Sequence, residues 1–190
     1  GSAVKPFVYA EALKKGYTPE TVVFDVPTEF STECNPDGTP ILPENADKCY
    51  KPENYDEKYR GPITLRDALA QSVNIPAIQV LYLAGLKNSL RLAKDMGITT
   101  LADTDRYGLT LVLGGGEVKL LDLTSAYGVF AADGTRREPT GILRIETREG
   151  AIVAGWKDTS EQVLEPEIAR KISDMLSDNK ARARAFGVAS

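Results

Sequence analysis

Tyr59-Arg60-Gly61-Pro62-Ile63-Thr64-Leu65-Arg66-Asp67-Ala68-Leu69-Ala70-Gln71-Ser72-Val73-Asn74-Ile75-Pro76-Ala77 packs two helix starts into one short stretch. Ile63 to Ala70, after Pro62 and with Thr64 as N-cap, reads as a short helix. It breaks near Ser72-Val73-Asn74, and Pro76 then opens a second helix through Leu86, since proline is tolerated in a first turn where no amide partner is needed. Ser72 and Asn74 thus lie between two helices, where a hydroxyl and an amide can reach a neighbouring cleft. Ser and Asn also favour such positions simply as caps, and residue types alone leave both readings open.

Upstream, Lys5 to Lys15 suits a helix stopped by Gly16, and Thr21 to Val26 is a short β-branched strand closed by Pro27. Phe30 to Gly61 is rich in Pro, Asn, Asp and Gly, too long for a plain connection and therefore a loop-rich insertion. Downstream, Asn88 to Met96 and Val118 to Ala132 read as helices ending at Gly97 and Gly134. Arg144 to Thr147 and Ala151 to Trp156 form a hairpin around Arg148-Glu149-Gly150, and a last helix runs from Pro166 to Leu176. The expectation is an α+β fold, a helical cluster against an antiparallel sheet.

Composition narrows the chemistry. The 190 residues contain no histidine, which excludes Ser-His-Asp and Cys-His catalysis and His-ligated metals. Any acid or base is Lys, Asp, Glu, Tyr or Cys. With 23 basic and 27 acidic residues the net charge is −4, against the basic surplus of a nucleic-acid binder. No apolar run approaches the roughly 18 residues of a membrane span, so any membrane attachment is expected from segments outside this chain. The abrupt ends, Gly1-Ser2-Ala3 and Gly187-Val188-Ala189-Ser190, read as a piece of something larger.

Ser2 and Lys5 stand at i and i+3, sharing one face of a first helical turn. That spacing permits acyl chemistry without histidine: a lysine made neutral by desolvation accepts the serine proton. Alone it is weak, because about one such pair occurs by chance in a chain this long. A Gly-Ser start can also be a cloning remnant.

Context decides. Tyr50-Lys51-Pro52-Glu53-Asn54-Tyr55-Asp56 followed by Tyr59 to Ala77 closely resembles the transpeptidase domain of bifunctional penicillin-binding proteins. Gly1-Ser2-Ala3-Val4-Lys5-Pro6-Phe7-Val8-Tyr9 resembles that family's nucleophile segment, which makes Gly1-Ser2 native. Leu113-Gly114-Gly115-Gly116-Glu117-Val118 with Leu121-Asp122-Leu123 and Ala126-Tyr127 resembles its later helix. Of the family's motifs, S-x-x-K and the S-x-N variant are present, whereas no Lys-Thr-Gly or Lys-Ser-Gly occurs. Residues 1–190 are therefore expected to be a partial domain of the penicillin-binding transpeptidase/β-lactamase-like fold, with strands after 190 missing and the chain alone inactive.

The resemblance implies a serine D-Ala-D-Ala transpeptidase with four site residues. Ser2 is the nucleophile, Lys5 its base and Ser72 a proton relay, while Asn74 hydrogen-bonds the substrate amide and Lys5. It implies no cofactor and no metal. Partners would be peptidoglycan stem peptides, β-lactam antibiotics and the remaining part of the domain, with no nucleic acid, on the extracytoplasmic face of the bacterial membrane. Two alternatives stay open: a noncatalytic peptidoglycan- or partner-binding domain, and a β-lactam-hydrolysing enzyme. The loop with Glu and Asn that β-lactamases use for deacylation is not found. Ser177-Asp178-Asn179 spells the second motif as β-lactamases write it, but it follows the last predicted helix and reads as a helix end and a turn.

Three further expectations complete the reading. Cys34 and Cys49 are expected to pair, because their segment is too polar to pin itself by burial and the family works in an oxidising compartment; two independent thiols are the alternative. That loop is expected to border the site entrance. Glu33, Asn35, Asp37, Gly38 and Glu44 imitate a calcium loop and Gly114 to Gly116 a phosphate cradle. Three prolines and the missing P-loop lysine argue for an acidic turn-rich loop and for close backbone packing instead.

Overall fold

The computed structural model describes residues 1–101 and 107–188. A 3-10 turn, Ser2–Val4, runs directly into helix α1 (Lys5–Lys14). Strand β1 (Val22–Asp25) pairs antiparallel with β2 (Gly61–Thr64), and α2 (Leu65–Ala70), α3 (Asn74–Ala84) and α4 (Leu86–Asp95) follow. A 3-10 turn at Leu109–Leu113 leads to α5 (Leu120–Ala131). The rest comprises β3 (Thr135–Arg136), β4 (Arg144–Glu146), β5 (Ile152–Gly155), β6 (Glu161–Gln162), α6 (Pro166–Ser177) and α7 (Asn179–Phe186).

α1 is the axle of the molecule. Every residue from Lys5 to Leu13 is buried, Lys5 and Glu11 included, so the helix is enclosed on all faces. It packs on α3, α4 and α6, and Phe7 sits against Phe130 and edge-on to Tyr127 of α5, with ring centroids 5.4 and 5.6 Å apart. The class is α+β as expected. The strands, however, form three separate two-stranded antiparallel pairs among the described residues, β1 with β2, β3 with β6 and β4 with β5.

Several boundaries move for physical reasons. Ile63 and Thr64 belong to β2 and not to the first turn of α2, because their β-branched side chains pair opposite Val23 and Val22. Thr64 still caps α2, its hydroxyl accepting from Asp67 N at 3.1 Å. The helix expected through Leu86 ends at Ala84, where Gly85 at φ +83° turns the chain into α4. α5 begins at Leu120 rather than Val118. The 144–156 hairpin forms with shorter strands than expected. The turn expected after Ser177 is instead the start of a further helix, α7, whose N-cap Asp178 accepts from Ala181 N at 2.9 Å.

The 30–61 segment is stapled. Cys34 and Cys49 form a disulfide with Cα atoms 5.5 Å apart. The Glu29 carboxylate closes the neck of the loop by accepting from Ser31 N and Tyr50 N at 2.8 and 2.7 Å. In the calcium-like string, one oxygen of Glu33 accepts from Asn45 Nδ2 and one oxygen of Asp37 from Thr39.

Candidate active site

Lys5 is 1% exposed, yet its Nζ is fully engaged. It donates to the Ser72 carbonyl at 2.6 Å, the Ser72 hydroxyl at 3.2 Å and Asn74 Oδ1 at 2.9 Å. An ammonium has three hydrogens, and all three are spent here on partners 67 and 69 residues away in sequence. None of these acceptors is a carboxylate. Burial therefore goes uncompensated by an opposite charge and pushes the Lys5 pKa down to about 8.

Ser72 reaches this position through an uncommon backbone. Its φ of +56° lies in the left-handed region, which a non-glycine residue adopts only where the surroundings hold it. The conformation belongs to the tight link between α2 and α3, and it turns the Ser72 carbonyl onto Lys5. Asn74 is the first residue of α3, and its Nδ2 donates to Glu53 O at 2.9 Å, so its amide orientation is fixed from both ends.

Ser2 is exposed at the floor of a cleft of about 510 Å³ that Ser72, Asn74 and Gly1 also line. The first turn is held by Tyr127, whose hydroxyl donates to Ala3 O at 3.0 Å. It also rests on Gly114, at φ +102°, where a Cβ would fall onto the backbone of Gly1. The glycine run thus serves close packing of the first turn against Leu109–Leu113, as its composition suggested. No hydrogen bond joins the Ser2 hydroxyl to Lys5 among the described residues. Three of the four predicted site residues are bonded to one another, and the fourth opens onto the same cleft.

Further walls come from Asn54, Tyr55, Asp56, Arg60 and Gln71, from Val73 and Leu113, and, from the unexpected helix, from Arg184 to Phe186. Of the 30–61 insertion, Asn54, Tyr55, Asp56 and Arg60 line this cleft and none of residues 34–49, enclosed by the disulfide, does. Behind the wall lies a buried polar network that sequence reasoning missed. Asn54 Nδ2 donates to Asp25 Oδ1 at 2.7 Å, Arg60 N donates to Asp25 Oδ2 at 2.9 Å, and Arg60 Nε donates to Gln71 Oε1 at 3.1 Å. The signal was available in Asp25, an acid closing a strand of β-branched residues, and in Gln71, a polar residue just before Ser72. Ser177 and Lys180, by contrast, are exposed, and the Ser177 hydroxyl turns back onto Asp174 O at 3.2 Å.

Comparison with known proteins places the chain among relatives of one family. The family described as penicillin binding protein transpeptidase domain matches residues 1–189. Penicillin-binding protein 1A of Aquifex aeolicus is 35% identical over 93% of the chain, and that of Neisseria meningitidis serogroup A 32% identical over all of it. The chain spans only 22% and 23% of the lengths of these two relatives. Among solved structures, penicillin-binding protein 1A of Haemophilus influenzae superimposes with a TM-score of 0.79 at 26% identity, covering 95% of this chain and 29% of that one. PonA1 of Mycobacterium tuberculosis in complex with penicillin V gives 0.76 at 20% identity, covering 97% and 48%, a likeness of fold.

Proposed function

The chain belongs to the penicillin-binding protein transpeptidase family, and from that premise we propose that it carries the nucleophile half of a serine D-Ala-D-Ala transpeptidase site. One observation carries the reading: a buried lysine, with no carboxylate among the acceptors of its hydrogen bonds, bonded to both the Ser72 and Asn74 side chains next to a cleft that exposes Ser2.

The chemistry follows from proton inventory. With a pKa of about 8, roughly one Lys5 in ten is neutral at pH 7. A neutral amine keeps two hydrogens and gains a lone pair. Of its three partners, only the Ser72 hydroxyl can reverse and donate into that lone pair, since a carbonyl and a carboxamide oxygen only accept. Ser72 is thereby the one of these three partners that can hand a proton on from the amine. Ser2 Oγ attacks the carbonyl carbon of the penultimate D-alanine while its proton passes to Lys5. The C–N bond then breaks, and the proton returns through Ser72 to the departing D-alanine amine, leaving an ester on Ser2. The amine of a second stem peptide attacks that ester and restores the Ser2 hydroxyl. A β-lactam follows the first half of this path: its ring amide opens, but the amine stays tethered and the ester persists.

The Ser2 N–H, at the start of a helical segment, supplies one donor to the carbonyl oxygen as it becomes an oxyanion, a term of roughly 3 kcal/mol. We place the second donor on a Lys-Thr/Ser-Gly strand outside residues 1–190, in keeping with the small share of its relatives that the chain spans. The disulfide supports a site of action outside the cytoplasm. No helix among the described residues is long and apolar enough to cross a membrane. The test is labelling of the full-length protein with a fluorescent penicillin. Ser2→Ala and Lys5→Ala are expected to abolish the stable adduct, and undiminished labelling of Ser2→Ala would refute the assignment.

A further inference from the structure

α3 begins without a cap of its own. Val73 stands at its N-cap position and offers no side-chain acceptor. The first amides of a helix have no partner within it, and a buried donor left bare is costly. Here the acceptor arrives from 20 residues upstream: Asn54 Oδ1 accepts from Asn74 N at 3.0 Å and from Ile75 N at 3.3 Å. Asn54 is 4% exposed, so its side chain and not bulk water meets these amides.

What makes Asn54 more than a cap is how it is held and what it caps. Its Nδ2 donates to Asp25 Oδ1 and Lys58 O at 2.7 and 2.8 Å, which forces Oδ1 to face α3. Asp25 is itself 0% exposed and sits at the end of β1 opposite Gly61, its other oxygen taken by Arg60 N. The amide that Asn54 receives belongs to Asn74, the residue whose side chain bonds Lys5, and the neighbouring Glu53 carbonyl receives the Asn74 side chain. Glu53 and Asn54 therefore grip Asn74 at main chain and side chain together.

We infer that Asn54, oriented by the buried Asp25 carboxylate, is the positioning residue of this site: it fixes the start of α3 so that Ser72 and Asn74 meet the Lys5 amine. The inference rests on the transpeptidase reading above. It assigns Asn54 no contact with substrate, only control of the residues that touch Lys5.

The test is the penicillin acylation rate of the full-length protein, counted per folded molecule from thermal unfolding. Asn54→Ala should acylate roughly 10- to 100-fold more slowly, the scale of a small misplacement of catalytic groups. Asn54→Asp alone sets two carboxylates face to face and should be equally slow. Combining it with Asp25→Asn reverses the polarity of the pair, so that residue 25 donates to residue 54, still accepts from Arg60 N, and leaves an oxygen for both α3 amides, while the Lys58 carbonyl loses its donor in the single and the double variant alike. This double variant should acylate roughly tenfold faster than Asn54→Asp, the two differing only in whether residue 25 can donate to residue 54. If Asn54→Ala fails to fold, the contrast between Asn54→Asp and the double variant carries the test. A normal rate for Asn54→Ala, or a double variant no faster than Asn54→Asp, overturns the inference. A Ser2→Ala control run alongside separates this outcome from failure of the transpeptidase reading, because only the latter leaves Ser2→Ala labelled.

Discussion

Ser2 to Lys5 and Ser177 to Lys180 share the same Ser-x-x-Lys spacing, and the second string also spells Ser-Asp-Asn. In the first region the lysine is buried beneath an exposed serine and is met by Ser72 and Asn74 from across the molecule. In the second, both residues are exposed at the junction of α6 and α7, and Asp178 serves as a helix cap paired with Arg66 at 3.3 Å. The difference teaches that the letters confer no reactivity. The proposed mechanism assigns it instead to desolvation of the lysine and to two distant hydrogen-bonding side chains.

The largest effect expected from this contrast is at the two lysines. Lys5→Arg installs a cation that cannot accept a proton, and the second-order acylation rate should fall by about 10³-fold, within the usual range for a general base. Lys180→Ala should stay within about twofold, and time courses of labelling measure both. Next come the asparagines. Asn74→Ala removes one of three partners of a buried amine and should slow acylation by roughly 100-fold, whereas Asn179→Ala should leave it within about threefold. The reverse ranking would show that the second string is the working one.

A pH profile sharpens the comparison further. Burial lowers the Lys5 pKa from 10.5 to about 8, so the folded protein releases this proton more readily than the unfolded chain. Acylation should climb about tenfold per pH unit below 8 and level off above it, with no such rise in Lys5→Arg. The same shift makes Lys5 a growing contributor to stability as pH rises from about 8 towards 10.5, because there the unfolded chain holds more protons. A small effect on rate, beside a larger one on stability, belongs to the disulfide-enclosed residues 34–49, which line neither region. Reducing Cys34–Cys49, separated by 15 residues, should lower stability by roughly 3 kcal/mol in denaturant titrations while changing acylation less than about threefold.

How much of this was legible in the sequence depended on range. Local signals read well: Pro6 and Gly16 around α1, Thr64 as a cap, Pro166 opening α6. Ile63 and Thr64 were misassigned because a helix cap and a β-branched strand end share the same letters, and only Val22 and Val23 across the ladder distinguish them. α7 was missed because Asn179-Lys-Ala-Arg-Ala-Arg-Ala offers good helix formers but little apolar periodicity, with only Ala181 buried. At the site, Ser2, Lys5, Ser72 and Asn74 were visible as motif residues. The Asp25, Asn54 and Gln71 network was not, since each bond joins segments at least 11 residues apart and polar residues in a Pro-rich loop carry no periodicity.

The central claim is that Ser2 carries the acyl group and that Lys5, not Lys180, makes it reactive. Peptide mapping by mass spectrometry of the full-length protein after β-lactam treatment tests it most directly. The account predicts a mass increase equal to the intact β-lactam on the peptide containing Ser2, lost in Lys5→Arg and unchanged in Lys180→Ala. An adduct on the peptide containing Ser177, or one on Ser2 that survives Lys5→Arg at full rate, would contradict it.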